Sequence, residues 1–85
     1  MRLKRYDVEL RVEIVKDAFH AGRLPGPAGE GMMKRAGTYP IVISYHYARG
    51  MSPWEITIEE AEELIKEIET AVIRAKQVGN RPTSP

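Results

Sequence analysis

The sequence predicts an α+β domain in which an antiparallel sheet of about three strands packs against one long C-terminal amphipathic helix. Two segments, about 5–16 and 38–48, alternate apolar and polar residues as half-buried strands do, and after residue 57 the apolar residues recur every three or four positions, as on a helix. The 85 residues fit a single domain, 1–85, of a size at which one hydrophobic core only just outweighs chain entropy. Pairing with a partner or a second copy is therefore expected.

The first strand is predicted over about 5–16. Its apolar positions are Tyr6, Val8, Leu10, Val12 and Ile14, and its polar positions are Asp7, Glu9, Arg11 and Glu13. A helical alternative uses Val8, Val12, Val15 and Phe19, at spacings of four, three and four. The β-branched content favours the strand.

The segment 17–37 holds five of the seven glycines and two prolines, and is predicted to be a long loop that is mobile near its tip, 25–31. Its glycines have the spacing of a phosphate-binding loop, but Met32 stands where that motif requires Lys. A phosphate loop is therefore not predicted.

A hairpin is predicted next, with a strand over 38–48, a turn over 49–52 and a short strand over 53–56. One side of its long strand carries Tyr39, Ile41, Ile43, Tyr45 and Tyr47, and the other carries Val42, Ser44 and His46. Val42 lies on the side of this strand opposite the tyrosines, and Ile73 lies outside the apolar stripe of the helix predicted after residue 57. We therefore expect these two residues to form a small exposed apolar area that a partner could contact.

The helix is predicted to begin at Thr57, which forms a capping box with Glu60. Its apolar positions form one stripe and are Ile58, Ala61, Leu64, Ile65, Ile68, Ala71, Val72, Ala75 and Val78. Gly79 and Asn80 are predicted to end the helix, and 80–85 to form a frayed tail.

Composition excludes several classes of protein. Without cysteine there is no disulfide, thiolate nucleophile or cysteine-bound zinc, and His20 and His46 have no second ligand at a suitable spacing. No catalytic, cofactor-binding or metal-binding residues are predicted, and the chain is not expected to be an enzyme. Neither a membrane span nor a secretory signal is recognisable, which predicts a cytoplasmic protein. A single Asn and a single Gln beside many Glu and Arg match a bias of heat-adapted proteins.

Charge is distributed unevenly along the chain. Residues 1–54 carry nine Lys or Arg against five Asp or Glu, whereas 55–85 carry four against seven. A mixture of cations and aromatic rings can hold single-stranded nucleic acid, since cations track the phosphates while bases stack on the rings. The residues of this predicted surface are Arg2, Lys4, Arg5, Lys34, Arg35, Arg49, Tyr45, Tyr47 and Trp54. The alternative is that the tyrosines and Trp54 are packing residues.

Within 41–76, the run from Ile41 to Tyr47, the segment Gly50-Met-Ser-Pro53 and the helix opening Ile56-Thr-Ile-Glu-Glu resemble the last strands and helix of the positive cofactor four family of transcriptional coactivators. The resemblance implies a curved antiparallel sheet, dimerisation through the helices and single-strand binding on the sheet. It would assign binding to Lys34, Arg49 and Trp54. The chain has one predicted strand fewer than that family and a long loop with no counterpart.

A protein-binding regulator or inhibitor module, of the kind that phages and mobile elements encode, is the other predicted function. It would dock through the remaining sheet face, the edge of the first strand or the acidic helix. A homodimer is expected in either case, because the apolar stripe of the helix is long and heptad-like.

Overall fold

The computed structural model describes residues 1–79 and confirms the α+β class, with an antiparallel sheet and a long C-terminal helix. The sheet has four strands in the order β1-β2-β3-β4, so the prediction of three was wrong. The elements are β1 Arg2–Leu3, β2 Val8–Ile14, α1 Val15–His20, α2 Gly26–Lys34, β3 Ile41–Tyr47, β4 Gly50–Ile56 and α3 Ile58–Gly79. The tail predicted over 80–85, with Asn80, lies outside the described residues.

The extra strand is β1, which pairs with the start of β2 through Arg2–Glu9 and Leu3–Val8. The chain reverses between them at Asp7, whose φ of 53° lies in the left-handed region that Asp tolerates better than most residues. Predicting one continuous strand over 5–16 was therefore wrong at both ends. A tight turn occupies the start of the predicted range, and α1 begins at Val15, directly after β2.

The predicted loop over 17–37 is also corrected, since it contains most of α1 and all of α2. One glycine of α2 serves close packing. A Cβ at Gly29 would lie 1.7 Å from the carbonyl oxygen of Leu24, so α2 can approach the preceding segment only if this residue lacks a side chain. Pro27 in the first turn lacks the N–H that a helix start leaves unbonded anyway. A segment whose composition is typical of a loop therefore forms a short, packed helix, α2.

The hairpin also differs from its prediction. Its turn is Ala48–Arg49, between the paired residues Tyr47 and Gly50, and the last strand begins at Gly50 rather than at residue 53. Pro53 lies within β4, an edge strand, where a missing N–H is tolerated.

Register divides the sheet into two faces. On the covered face, Glu9–His46–Met51, Arg11–Ser44–Pro53 and Glu13–Val42–Glu55 lie in rows across the strands. α1 and α2 lie over this face, and the buried core consists of Val15, Ala18, Leu24, Met32 and Val42. Val42 is fully buried, so the prediction that it forms part of an exposed apolar area was wrong.

Two ion pairs tie the helical segment to the covered face. The Arg23 guanidinium donates to both Glu13 carboxylate oxygens, with Nε 2.9 Å from Oε2, and this hydrogen bonding lowers the Glu13 pKa. At the other side, Arg35 Nη2 lies 2.6 Å from Glu55 Oε1. Ionised carboxylates with guanidinium partners make the stronger kind of hydrogen bond, and both pairs fix the helices over Val42.

α3 begins with the predicted capping box. The Glu60 N–H donates to Thr57 Oγ1 over 3.0 Å, and the Thr57 N–H donates to Glu60 Oε1 over 2.9 Å. With 22 residues, α3 is about 33 Å long, whereas a seven-residue strand such as β3 spans about 23 Å. No residue of Ile58–Gly79 is buried, so the apolar stripe from Ile58 to Val78, here called the α3 stripe, remains accessible.

Candidate functional site

The second face of the sheet, here called the open face, is largely apolar and partly exposed. Its rows across β2, β3 and β4 are Leu10–Tyr45–Ser52, Val12–Ile43–Trp54 and Ile14–Ile41–Ile56. Val12 keeps 66% of its surface in solvent and Trp54 keeps 58%. A contiguous exposed apolar patch marks an interaction site more often than scattered apolar residues do, so this face is a candidate docking surface.

The α3 stripe faces the open face, and an apolar groove of about 250 Å³ lies between them. The sheet lines one wall and the first half of α3 lines the other. The groove residues are Val12, Ile41, Ile43, Ile56, Ala61, Leu64, Ile65 and Ile68. Ile65 and Ile68 face this space, yet each remains more than half exposed. The stripe and the open face are therefore only partly covered by each other.

The chain exposes more surface than a compact protein of its mass. Its accessible surface is 6759 Å², whereas a folded monomer of 9.6 kDa exposes about 5,100 Å². Its radius of gyration is 16.1 Å, against about 12 Å for a compact chain of this length. A standard protein interface takes about 800 Å² from each partner, so the excess is large enough to supply one.

Part of the predicted nucleic-acid surface does come together. Tyr45 lies beside Tyr47, with ring centroids 5.6 Å apart, and beside Trp54 at 5.9 Å. Because Glu9 pairs with His46, the β1–β2 turn and the β3–β4 turn lie at the same end of the sheet. Lys4 and Arg5 belong to the first turn and Arg49 to the second. We call Lys4, Arg5, Tyr45, Tyr47, Arg49 and Trp54 the aromatic end.

The other three predicted residues are placed elsewhere or already paired. Lys34 ends α2 and Arg35 follows it over the covered face, at the Glu55 end of β4, and the hydrogen bond to Glu55 raises the Arg35 pKa. Arg2 forms an ion pair with Asp7. The nine residues therefore do not form one surface, because the α1–α2 segment carries Lys34 and Arg35 to the opposite side of the sheet.

His46 on the covered face makes a structural contact. Ser44 Oγ lies 3.1 Å from His46 Nε2, but Ser44 is only 2% exposed, so this contact satisfies a buried hydroxyl and leaves no room for a substrate at it. Among residues 1–79, no three His, Asp or Glu side chains are grouped closely enough to hold a metal ion.

Sequence reasoning missed the open face as a site, although its signal was present in the alternation of β2. That alternation separates an apolar row from a polar one, but it does not show which row remains exposed. The site could not be predicted because the helical segment 15–34 covers the opposite face, which leaves the apolar row of β2 outside the core.

None of the helices within 1–79 is long and apolar enough to cross a membrane. No protein-family model, curated protein or solved structure matches this chain. Its function is therefore inferred from its own residues.

Proposed function

We propose that this chain is a non-enzymatic protein-binding domain that docks through its open face and α3 stripe, and that its simplest partner is a second copy of itself. The observation that carries this proposal is the groove between α3 and the sheet, whose two apolar walls both remain partly exposed. Water at such walls is released when a partner fills the groove, which favours association by about 25 cal/mol for each Å² of apolar surface covered.

The distribution of surface supports docking through this side of the molecule. Among residues 1–79, the buried core lies on the covered face, around Val15 and Val42, and the longest helix contributes no residue to it. A 22-residue helix with one apolar side gains most of its stability from packing that side against other protein. A partner over the open face would supply this packing.

A lysine at Val12 tests the proposal. Val12 is exposed, so Val12→Lys leaves the covered core intact while it places a charge in the centre of the open face. Thr70→Lys, on the side of α3 opposite the stripe, is the matched control. Sedimentation equilibrium should give a dimer mass for the wild type and Thr70→Lys, and a monomer mass for Val12→Lys. A monomeric wild type at all micromolar concentrations would refute the proposed homodimer.

The aromatic end supports a second candidate function, the binding of single-stranded nucleic acid that the resemblance to positive cofactor four also implies. Adjacent rings and nearby cations are the components of such sites, and stacking on an aromatic ring contributes about 1–3 kcal/mol per base. This candidate ranks second because two of its cations lie on the other side of the sheet, and because the Trp54 row is also part of the open face.

Fluorescence anisotropy with labelled single strands, titrated at low and near-physiological salt, tests this second candidate. Arg49→Ala should weaken binding and lower the salt dependence by a little under one unit, as expected for the loss of one phosphate contact. The double variant Lys34→Ala with Arg35→Ala should have little effect, because these residues lie away from the aromatic end. No binding at low salt would eliminate this function. The predicted cytoplasmic location and heat-adapted origin remain predictions.

A further inference from the structure

The order of residues along α3 specifies how two copies would meet, and this inference rests on the homodimer proposed above. We infer that the two α3 helices pair antiparallel, with the two-fold axis at Ile68, so that the second half of each helix fills the groove on the other copy. Three features carry the inference: the spacing of the stripe, the charges beside it, and the position of the groove.

The stripe is symmetric about Ile68. In an antiparallel pair centred there, each residue meets the residue equally far on the other side of Ile68 in the second copy. The pairs formed in this way are Ile58 with Val78, Ala61 with Ala75, Leu64 with Val72, and Ile65 with Ala71. Every apolar position thus meets an apolar position. The alanines near both ends allow the helix axes to approach at the short end of the usual 8–10 Å range.

Charges flank the stripe in two rows with a spacing of seven residues. One row is Glu60, Glu67 and Arg74, and the other is Glu62, Glu69 and Lys76. A parallel pair brings one row beside the other at equal heights. Glu60 would then meet Glu62, Glu67 would meet Glu69, and Arg74 would meet Lys76, so every flanking contact would be repulsive.

An antiparallel pair brings each row beside its own reversed copy. Glu60 then lies near Arg74 and Glu62 lies near Lys76, twice each because of the two-fold axis. Only the central Glu67 and Glu69 meet like charges, and these side chains can turn toward solvent. Opposite charges at such flanking positions set the orientation of paired helices more than their affinity.

The groove supplies the third argument. Its helical wall runs from Ala61 to Ile68, whereas the second half of α3 is absent from its lining. Antiparallel pairing lays the second half of one helix beside the first half of the other, over the open face. Parallel pairing would place the second halves of the two α3 helices against each other, with no sheet beside them. Only the antiparallel arrangement covers Val72 and Val78 and the groove at the same time.

The chain has no cysteine, so single cysteines report the arrangement directly. In the antiparallel dimer, two copies of residue 75 lie about 21 Å apart along the helices, far beyond the 4.4–6.8 Å between the Cα atoms of a disulfide. Ala75→Cys alone should therefore remain uncrosslinked under mild oxidation. An equal mixture of Ala61→Cys and Ala75→Cys should form the mixed disulfide, and Ile68→Cys should crosslink with itself.

The outcomes separate the two proposals. Self-crosslinking of Ala75→Cys in a protein of dimer mass would overturn the antiparallel arrangement and leave the proposed homodimer standing. A monomer mass for the wild type and all three variants would remove both. Circular dichroism of each reduced variant checks that α3 is still formed, so that a missing crosslink reflects geometry.

Discussion

Truncation of Ile68 is the sharpest test of the α3 stripe. Ile68 keeps 53% of its surface exposed in the single chain, and complete burial of an isoleucine side chain is worth about 1.5–3 kcal/mol. Covering the exposed half in a dimer would contribute about 1 kcal/mol per copy, or about 2 kcal/mol for the pair. Ile68→Ala should therefore raise the dimer Kd by about 30-fold.

Ile73 provides the matched control, because it is 60% exposed and lies about 140° around α3 from Ile68. Alanine favours a helix more than isoleucine does, so neither substitution should weaken α3 itself. Sedimentation equilibrium measures Kd, and circular dichroism measures helix content. An unchanged Kd for Ile68→Ala, or an equal increase for both variants, would refute the assignment of this stripe to the interface.

Three further predictions concern the fold. Gly29→Ala should lower the midpoint of thermal unfolding, because the added Cβ collides with the Leu24 backbone. At Gly31 an added Cβ meets only a flexible side chain, so Gly31→Ala should stabilise α2 by up to about 1 kcal/mol. Equal unfolding midpoints for the two variants would contradict this packing. Thr57→Ala should cost about 1 kcal/mol by removing the capping hydrogen bond, measured by chemical denaturation. The Glu13 pKa is lowered in the folded chain, so its contribution to stability is complete above its ordinary value of 4.5 and is lost as the pH falls through the lowered value. Glu13→Gln should therefore unfold at a lower temperature than the wild type at neutral pH, and the difference should disappear in acid; a difference that persists there would contradict the role of the ion pair with Arg23.

The elements that could be predicted are those with an unambiguous period. The α3 helix has a capping box at one end and a stripe of nine apolar residues, and it begins where both signals place it. The alternation of β3 likewise separates Val42 and Ser44 from Ile41 and Ile43, and the register confirms two faces. In both cases neighbouring residues alone decide the local geometry.

The segment before β3 could not be predicted in this way. Its glycines and prolines indicate a loop when each is judged by its intrinsic preference. Gly29 is instead required by the closeness of Leu24, a contact between α2 and the segment before it. Such a contact exists only after the chain has folded, so local propensity has no means of reporting it.

The candidate site shows the same division. Composition and periodicity determined that the chain is α+β and that it ends in an amphipathic helix. Only the tertiary structure decided which row is buried, because α1 and α2 cover the face of Val42 and leave that of Val12 open. An alternating strand has two faces that are equivalent until another element packs on one of them, and that choice depends on contacts between residues far apart in the chain.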